Sequence, residues 1–310
     1  MSYFNFEDFF YILVEGEPES PEVPFLIKVI DRIFEHNRIR FPSRVIEVGG
    51  SSSFKSFAKF CYRDSEIHAQ IPVLALSDND YRTSLDKEQS QDKNLIEKKE
   101  PKIIYWKRHE WENYLLDETN LIADYINQLP CKSSAKAGKS SKQNSKTVSK
   151  EEIETALYNY FQKQLKNEFW ECLKFNLSRK VKKYPSIKKP DNFEEQTLSD
   201  IGNWFWEESK KTEDVFKLQK FSPNLFQTIM DEFDWEPLIN SPSMLTFEHA
   251  KKYFRGKEVF DYIYEFIKEK VKFQNLSKQD LKRDILRMTS LQSSIYSDLE
   301  NLLRTELNID

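Results

Sequence analysis

The chain has 310 residues, of which 39% are hydrophobic and 32% are charged, and its formal net charge is -4. This length and apolar content predict a folded protein with a sizeable core, and the weak negative charge excludes a global attraction to polyanions. The three cysteines are widely spaced and form no CxxC pair, which argues against a disulfide framework or a zinc site. Neither a signal peptide nor a long apolar run is evident, so we expect a cytoplasmic protein with no membrane partner.

Short apolar runs in the first third of the chain predict strands, at residues 11–14, 45–48, 73–76 and 103–106. The stretches between these runs are long enough for crossover helices, which is typical of a parallel α/β sheet. After the first run, Ser20 is predicted to cap a helix that has Pro21 in its first position. The sequence therefore predicts a parallel sheet in this region.

The remainder of the chain has helical periodicity, over residues 109–129, 151–184, 198–221, 246–273 and 277–307. A segment rich in Ser and Lys interrupts this pattern and lacks the large apolar residues of a packed core. We therefore predict an α/β domain over residues 1–130, a mobile insertion over 131–150 and a mainly helical domain over 151–310. The helical domain is expected to complete the site and to bind partners.

Acidic side chains follow two of the predicted strands, in the segments YILVEGEPE and IPVLALSDND. The carboxyl ends of parallel strands meet at one edge of a sheet, so we expect Glu15, Glu19, Asp78 and Asp80 to converge there. Grouped carboxylates repel one another unless cations join them, and Mg²⁺ or Mn²⁺ prefers such oxygen ligands. Two ions held there would favour cleavage of phosphodiesters. The alternative interpretation is that these acids are ordinary polar loop residues.

The segment VEGE followed by a helix, the glycine pair after the second strand and the DND sequence together resemble the TOPRIM domain of topoisomerases, primases and nucleases. A later segment, WKRHEWENYLLD, resembles an acidic element of the OLD-family nucleases. That resemblance implies that Glu112 binds metal, with Glu110 a weaker candidate. The segment HAKKYFRGKEVFDYI resembles the GK element of the same proteins, which implies that Lys257 assists catalysis near the phosphate. His109 is assigned at most a supporting role beside the site.

The first predicted strand begins about a dozen residues into the chain, so we expect no ATPase domain ahead of the sheet. In size and layout the chain resembles the TOPRIM subunit of the PARIS anti-phage system. That resemblance implies a toxic effector controlled by a separate ABC-type ATPase. Transfer RNA is implied as a substrate by the same resemblance, and duplex DNA by the resemblance to OLD nucleases.

The leading hypothesis is a metal-dependent nuclease in which Glu15 also acts as a general base or acid. One alternative is a non-catalytic, metal-stabilised interaction subunit of a defence or repair complex. Another is an enzyme that uses the DND sequence to hold a metal-bound nucleotide sugar, as DxD glycosyltransferases do. The choice between DNA and RNA stays open, as does a homodimer whose two sites would cut opposing strands.

Overall fold

The computed structural model describes residues 9–16, 20–38, 42–63, 67–89, 94–129, 147–181, 187–211, 222–273 and 275–307. Several predicted features therefore lie wholly or partly outside the described residues: Glu19, residues 131–146 of the predicted insertion, and residues 182–184 and 212–221 at the ends of two predicted helices. Within the described part of the chain, no helix is both long enough and apolar enough to cross a membrane.

A four-stranded sheet forms the first part of the molecule. Its strands are β1 (Phe10–Val14), β2 (Ser43–Glu47), β3 (Leu74–Ser77) and β4 (Lys102–Tyr105). The strand order is β2-β1-β3-β4 and every neighbouring pair is parallel. The predicted parallel α/β sheet is thus confirmed, with each strand end within two residues of its predicted position. Because β1 and β3 are neighbours, the residues that follow them share one edge of the sheet.

Helices account for most of the remaining described chain. They are α1 (Glu22–His36), α2 (Phe54–Cys61), α3 (Ser84–Gln89), α4 (Leu95–Lys98), α5 (Thr119–Gln128), α6 (Lys150–Val181), α7 (Leu198–Lys211), α8 (Pro223–Glu232), α9 (Trp235–Asn240), α10 (Phe247–Tyr253), α11 (Gly256–Val271), α12 (Lys278–Met288) and α13 (Ser294–Leu307). Short 3₁₀ turns lie at Ser51–Ser53, Ile67–Ala69, Trp111–Asp117 and Pro242–Met244.

The alternating side chains of β1 divide the hydrophobic core into two layers. Phe10, Ile12 and Val14 face a large cluster that includes α1 and most helices of the second half of the chain. Tyr11 and Leu13 face a smaller cluster that includes α2. Both faces of the central strand are therefore covered, as expected for a parallel sheet. The large cluster contains residues from both sides of the proposed domain boundary, such as Ile126 and Val148. The boundary therefore stays a prediction.

Three local predictions were wrong. Ser20 does not cap α1, because its hydroxyl donates a hydrogen bond to the side chain of Glu22, 2.6 Å away. The predicted helix over 246–273 is interrupted at Phe254 and Arg255, which are extended. The predicted helix over 277–307 is interrupted after Met288, where Thr and Ser side chains compete for backbone hydrogen bonds.

Candidate active site at the carboxyl edge of the sheet

Glu15 follows β1 and is held against the end of the neighbouring strand β3. Its Oε2 accepts a 2.6 Å hydrogen bond from the hydroxyl of Ser77, and its Oε1 accepts one of 3.3 Å from the backbone N–H of Ser51. Asp78 comes directly after Ser77 and is buried. The parallel topology thus brings the carboxylates after β1 and β3 to one place, as expected from their position at the strand ends.

A cavity of about 690 Å³ opens at this edge of the sheet. Its acidic wall comes from Glu15, Glu22, Asp78 and Glu112. These four carboxylates come from the ends of β1 and β3, from the first turn of α1 and from the 3₁₀ turn after β4. The fold therefore collects acids from four separate segments around one space.

A basic wall from the second half of the chain adjoins the acidic one. Lys278, Lys282 and Arg283 of α12 line it, together with Lys257 in the first turn of α11. Lys257 Nζ lies 3.3 Å from Asp78 Oδ2, and Lys282 Nζ lies 2.9 Å from Glu112 Oε1. A further carboxylate of the cavity, that of Asp261, pairs with Lys278, so among the described residues Lys257 and Lys282 are the cations that pair with the acidic wall.

The four carboxylates of the acidic wall outnumber the cations that pair with them among the described residues. Burial raises the pKa of Glu22 to about 8, and nearby Glu112 adds to the effect. Burial also holds the pKa of Asp78 well above its ordinary value, against the opposing influence of Lys257. Glu112 is 2% exposed, and its Oε2 has no hydrogen-bond partner among the described residues. A buried carboxylate oxygen without a protein donor is rare in folded proteins, and its lone pairs are free to bind an ion or water.

A second group of ligand atoms, from Asp80, His109 and Glu110, lies beside this wall, with the atoms all within 4.8 Å of one another. Burial raises the pKa of Asp80 to about 6 and that of Glu110 to about 7, Glu110 being further raised by Glu112. Burial lowers the pKa of His109 to about 3, so its imidazole is neutral at physiological pH. Neither ring nitrogen of His109 has a hydrogen-bond partner.

Asn113 fixes the position of Lys257. Its side-chain N–H donates to the carbonyl of Phe254 over 2.7 Å, and its Oδ1 accepts from the backbone N–H of Glu110 over 2.9 Å. The backbone N–H of Lys257 in turn donates to Glu110 Oε2 over 2.7 Å. A Cβ on Gly256 would lie only 2.8 Å from the backbone nitrogen of Asn113, so this close approach requires glycine.

Helix α6 contacts Tyr81, which directly follows the DND loop formed by Asp78, Asn79 and Asp80. Glu168 on this helix accepts hydrogen bonds from the hydroxyl of Tyr81 and from the backbone and guanidinium N–H groups of Arg255. Asn176, also on α6, donates to the carbonyl of Tyr81 over 3.0 Å. Helix α6 therefore connects Tyr81 to Arg255.

The structure brings together most of the residues singled out in the sequence. Glu15, Asp78, Glu112 and Lys257 line the cavity, whereas Asp80 and Glu110 belong to the adjacent group with His109. Sequence reasoning missed Glu22 and the basic residues of α12. The sequence shows Glu22 in the first turn of a predicted helix, but acids are common there because they interact favourably with the helix dipole. No local pattern marked the basic side chains of α12 as part of a site.

Comparison of the chain with protein-family models, with curated proteins and with solved structures finds no match. The function is therefore argued from the residues of the cavity and from the chemistry that they support.

Proposed function

We propose that this protein is a divalent-metal-dependent nuclease, with the parallel sheet acting as a TOPRIM-type catalytic domain. The observation that carries the proposal is the cavity that four carboxylates at the sheet edge line together with an adjoining basic wall. An acidic wall suits cations, and a basic wall suits the phosphates of a nucleic acid. The two walls together fit a phosphodiester bound between metal ions and the basic side chains.

The chemistry of the carboxylates on the acidic wall suits Mg²⁺ or Mn²⁺, while of the described residues it is Asp80, His109 and Glu110 that place three ligand atoms within 4.8 Å of one another. Glu15, Asp78 and Glu112 would hold the ions, because they offer the carboxylate oxygens that these cations prefer. The unpartnered Oε2 of Glu112 supplies a free ligand atom in a buried position. Such ions polarise a phosphodiester and offset the charge that develops on its oxygens.

The basic side chains would bind the phosphates. The side chain of Lys257 is 56% exposed although its ammonium contacts Asp78, so it has room to turn toward a phosphate oxygen. There it would stabilise negative charge in the transition state. Lys278 and Arg283, also on the basic wall, would contact neighbouring phosphates of the strand. Glu15 lies at the sheet edge and would act as the general base or acid.

We extend the proposal to biological role by the resemblance to the PARIS subunit. In this proposal the nuclease is a toxic effector of anti-phage defence, and a separate ABC-type ATPase holds it inactive until infection. The substrate is DNA or RNA, with transfer RNA as one case.

The experiment that tests the proposal incubates the full chain with duplex DNA, single-stranded RNA and transfer RNA, in Mg²⁺, in Mn²⁺ and in EDTA. We expect cleavage of at least one polymer that requires the divalent ion. Asp78→Asn removes one proposed ligand and is expected to abolish cleavage. Asp191→Asn, at an exposed aspartate, is the matched control and is expected to cleave like the wild type.

Two outcomes would contradict the proposal. Equal cleavage by Asp78→Asn and wild type would show that the activity arises elsewhere. Absence of cleavage with every polymer, together with an unchanged biological effect of Asp78→Asn, would favour the non-catalytic interaction subunit instead.

A further inference from the structure

Three side chains next to the cavity form a group of a different chemical kind. Asp80, His109 and Glu110 place one ligand atom each within 4.8 Å of the others. Of the described residues, the cavity is lined by Glu15, Asp78 and Glu112 but not by these three. The group also differs from the acidic wall in that it contains an imidazole.

The histidine lacks the partners that a structural histidine has. His109 is 3% exposed, yet neither Nδ1 nor Nε2 has a hydrogen-bond partner among the described residues. A buried polar group without a partner destabilises the folded state. By contrast, the buried His68 accepts a 3.0 Å hydrogen bond from the backbone N–H of Tyr11, and its Nδ1 lies 2.7 Å from the carbonyl of Ile71. His109 therefore has a lone pair available for a ligand.

The two carboxylates are held in place by neighbouring donors. Arg82 Nη2 lies 3.1 Å from Asp80 Oδ2. The backbone N–H of Lys257 donates to Glu110 Oε2, while Glu110 Oε1 lies 4.0 Å from His109 Nδ1. The backbone N–H of Asp80 donates to the carbonyl of His109 over 2.9 Å, which links the two loops. Hydrogen bonds of this kind fix the orientation of carboxylate ligands in metal sites.

We propose that Asp80, His109 and Glu110 form a binding site for one divalent transition-metal ion, of the Mn²⁺, Co²⁺ or Zn²⁺ class. An imidazole combined with carboxylates suits these ions, whereas an all-oxygen set suits Mg²⁺. The site therefore has a metal preference that the acidic wall lacks. The inference deepens the proposed function and rests on it for its biological role, since it adds a second kind of ion beside the phosphodiester site.

The test titrates the metal-free full chain with Co²⁺ while its visible absorption is recorded, with and without excess Mg²⁺. We expect one Co²⁺ to bind with a spectrum typical of nitrogen ligation and to resist displacement by Mg²⁺. His109→Gln is expected to weaken this binding by at least about tenfold. His68→Gln is the matched control, because both ring nitrogens of His68 already have hydrogen-bond partners.

Thermal unfolding and circular dichroism establish whether His109→Gln is folded. If the folded variant binds Co²⁺ as tightly as the wild type, the site is overturned. The same holds if Mg²⁺ displaces Co²⁺ at equal concentration.

Anomalous diffraction from wild-type crystals soaked in Mn²⁺ requires no variant and keeps the test decisive if His109→Gln fails to fold. A peak beside the His109 ring supports the site. A peak at Asp78 with none at His109 overturns it.

The two proposals fail in different ways. Mg²⁺-dependent cleavage with no Co²⁺ binding at His109 would overturn the transition-metal site and leave the nuclease intact. Co²⁺ binding at His109 without cleavage of any polymer would support the site and overturn the nuclease.

Discussion

Two buried glutamates, Glu168 and Glu112, differ in how completely their oxygens are hydrogen-bonded. Glu168 on α6 is 1% exposed, and it accepts hydrogen bonds from the hydroxyl of Tyr81 and from N–H groups of Arg255. Glu112 in the cavity is 2% exposed, and Lys282 donates to one of its oxygens while the other has no partner among the described residues.

The difference shows that burial by itself does not distinguish a structural carboxylate from a functional one. A fully bonded carboxylate such as Glu168 holds elements together and has no lone pair to offer. A partly bonded carboxylate such as Glu112 keeps an electrostatic cost in the folded state, which a bound cation would remove. The number of unsatisfied oxygens therefore separates the two roles, and variants of both residues can test this separation.

The largest effect is expected for Glu168→Gln, through stability. The amide removes the charge that pairs with Arg255 and replaces an acceptor of the Tyr81 hydroxyl. Breaking a buried ion pair in this way costs about 3–5 kcal/mol of unfolding free energy. Denaturation in urea measures the loss. Glu207→Gln is the control, because it removes an exposed ion pair with Lys210 and is expected to cost under about 1 kcal/mol of unfolding free energy. Similar losses of stability in the two variants would refute the structural role of Glu168.

Glu112→Gln is expected to lower both cleavage and stability. Cleavage should fall by at least about 100-fold, because a proposed metal ligand is lost. Stability should also fall, by about 3 kcal/mol or more, because the buried ammonium of Lys282 loses its charged partner. Cleavage assays and urea denaturation of the same preparation measure both quantities. Undiminished cleavage by folded Glu112→Gln would show that the two glutamates do not differ in role.

Gly256→Ala tests whether the contact with Asn113 positions Lys257. The added Cβ would lie 2.8 Å from the Asn113 backbone nitrogen and 2.5 Å from its Oδ1, so the chain must shift. A displacement approaching 1 Å near the reacting groups lowers cleavage by about 10- to 100-fold. Cleavage kinetics measure the effect. Gly202→Ala on α7 is the control, since the added Cβ would lie at an ordinary distance of 3.4 Å from Phe226. Unaltered cleavage in both variants would argue against the positioning role of Gly256.

The final prediction concerns the pH dependence of stability in EDTA. The pKa of Glu22 is raised from 4.5 to about 8, so the folded state keeps a proton that the unfolded state loses between these values. The contribution of Glu22 to stability is therefore most favourable below pH 4.5 and falls as the pH rises toward 8. Glu22→Gln should be more stable than wild type at pH 9 by about 1 kcal/mol or more, and equal to it near pH 4.

Denaturation across the pH range measures this difference. Glu35→Gln, at an exposed position on the same helix, should follow the wild-type curve. A Glu22→Gln curve parallel to the wild type would show that Glu22 titrates normally.

The amino-acid sequence by itself determined the strands and the acids at their ends. The apolar runs around Ile12 and Ala75 are local signals, and parallel topology places the following residues, Glu15 and Asp78, at a common edge. Local patterns could not show the break between α10 and α11, because the break at Arg255 accompanies the close approach of Gly256 to the distant Asn113.

Only the tertiary structure decided which side chains complete the site. Lys282 meets Glu112 across 170 residues of sequence, and Lys257 meets Asp78 across 179. The position of such partners depends on how α11 and α12 pack against the sheet edge, and helical periodicity predicts a buried face without predicting what it faces. The unpartnered nitrogens of His109 are likewise a property of the packed interior, because hydrogen bonds between distant segments have no sequence signal.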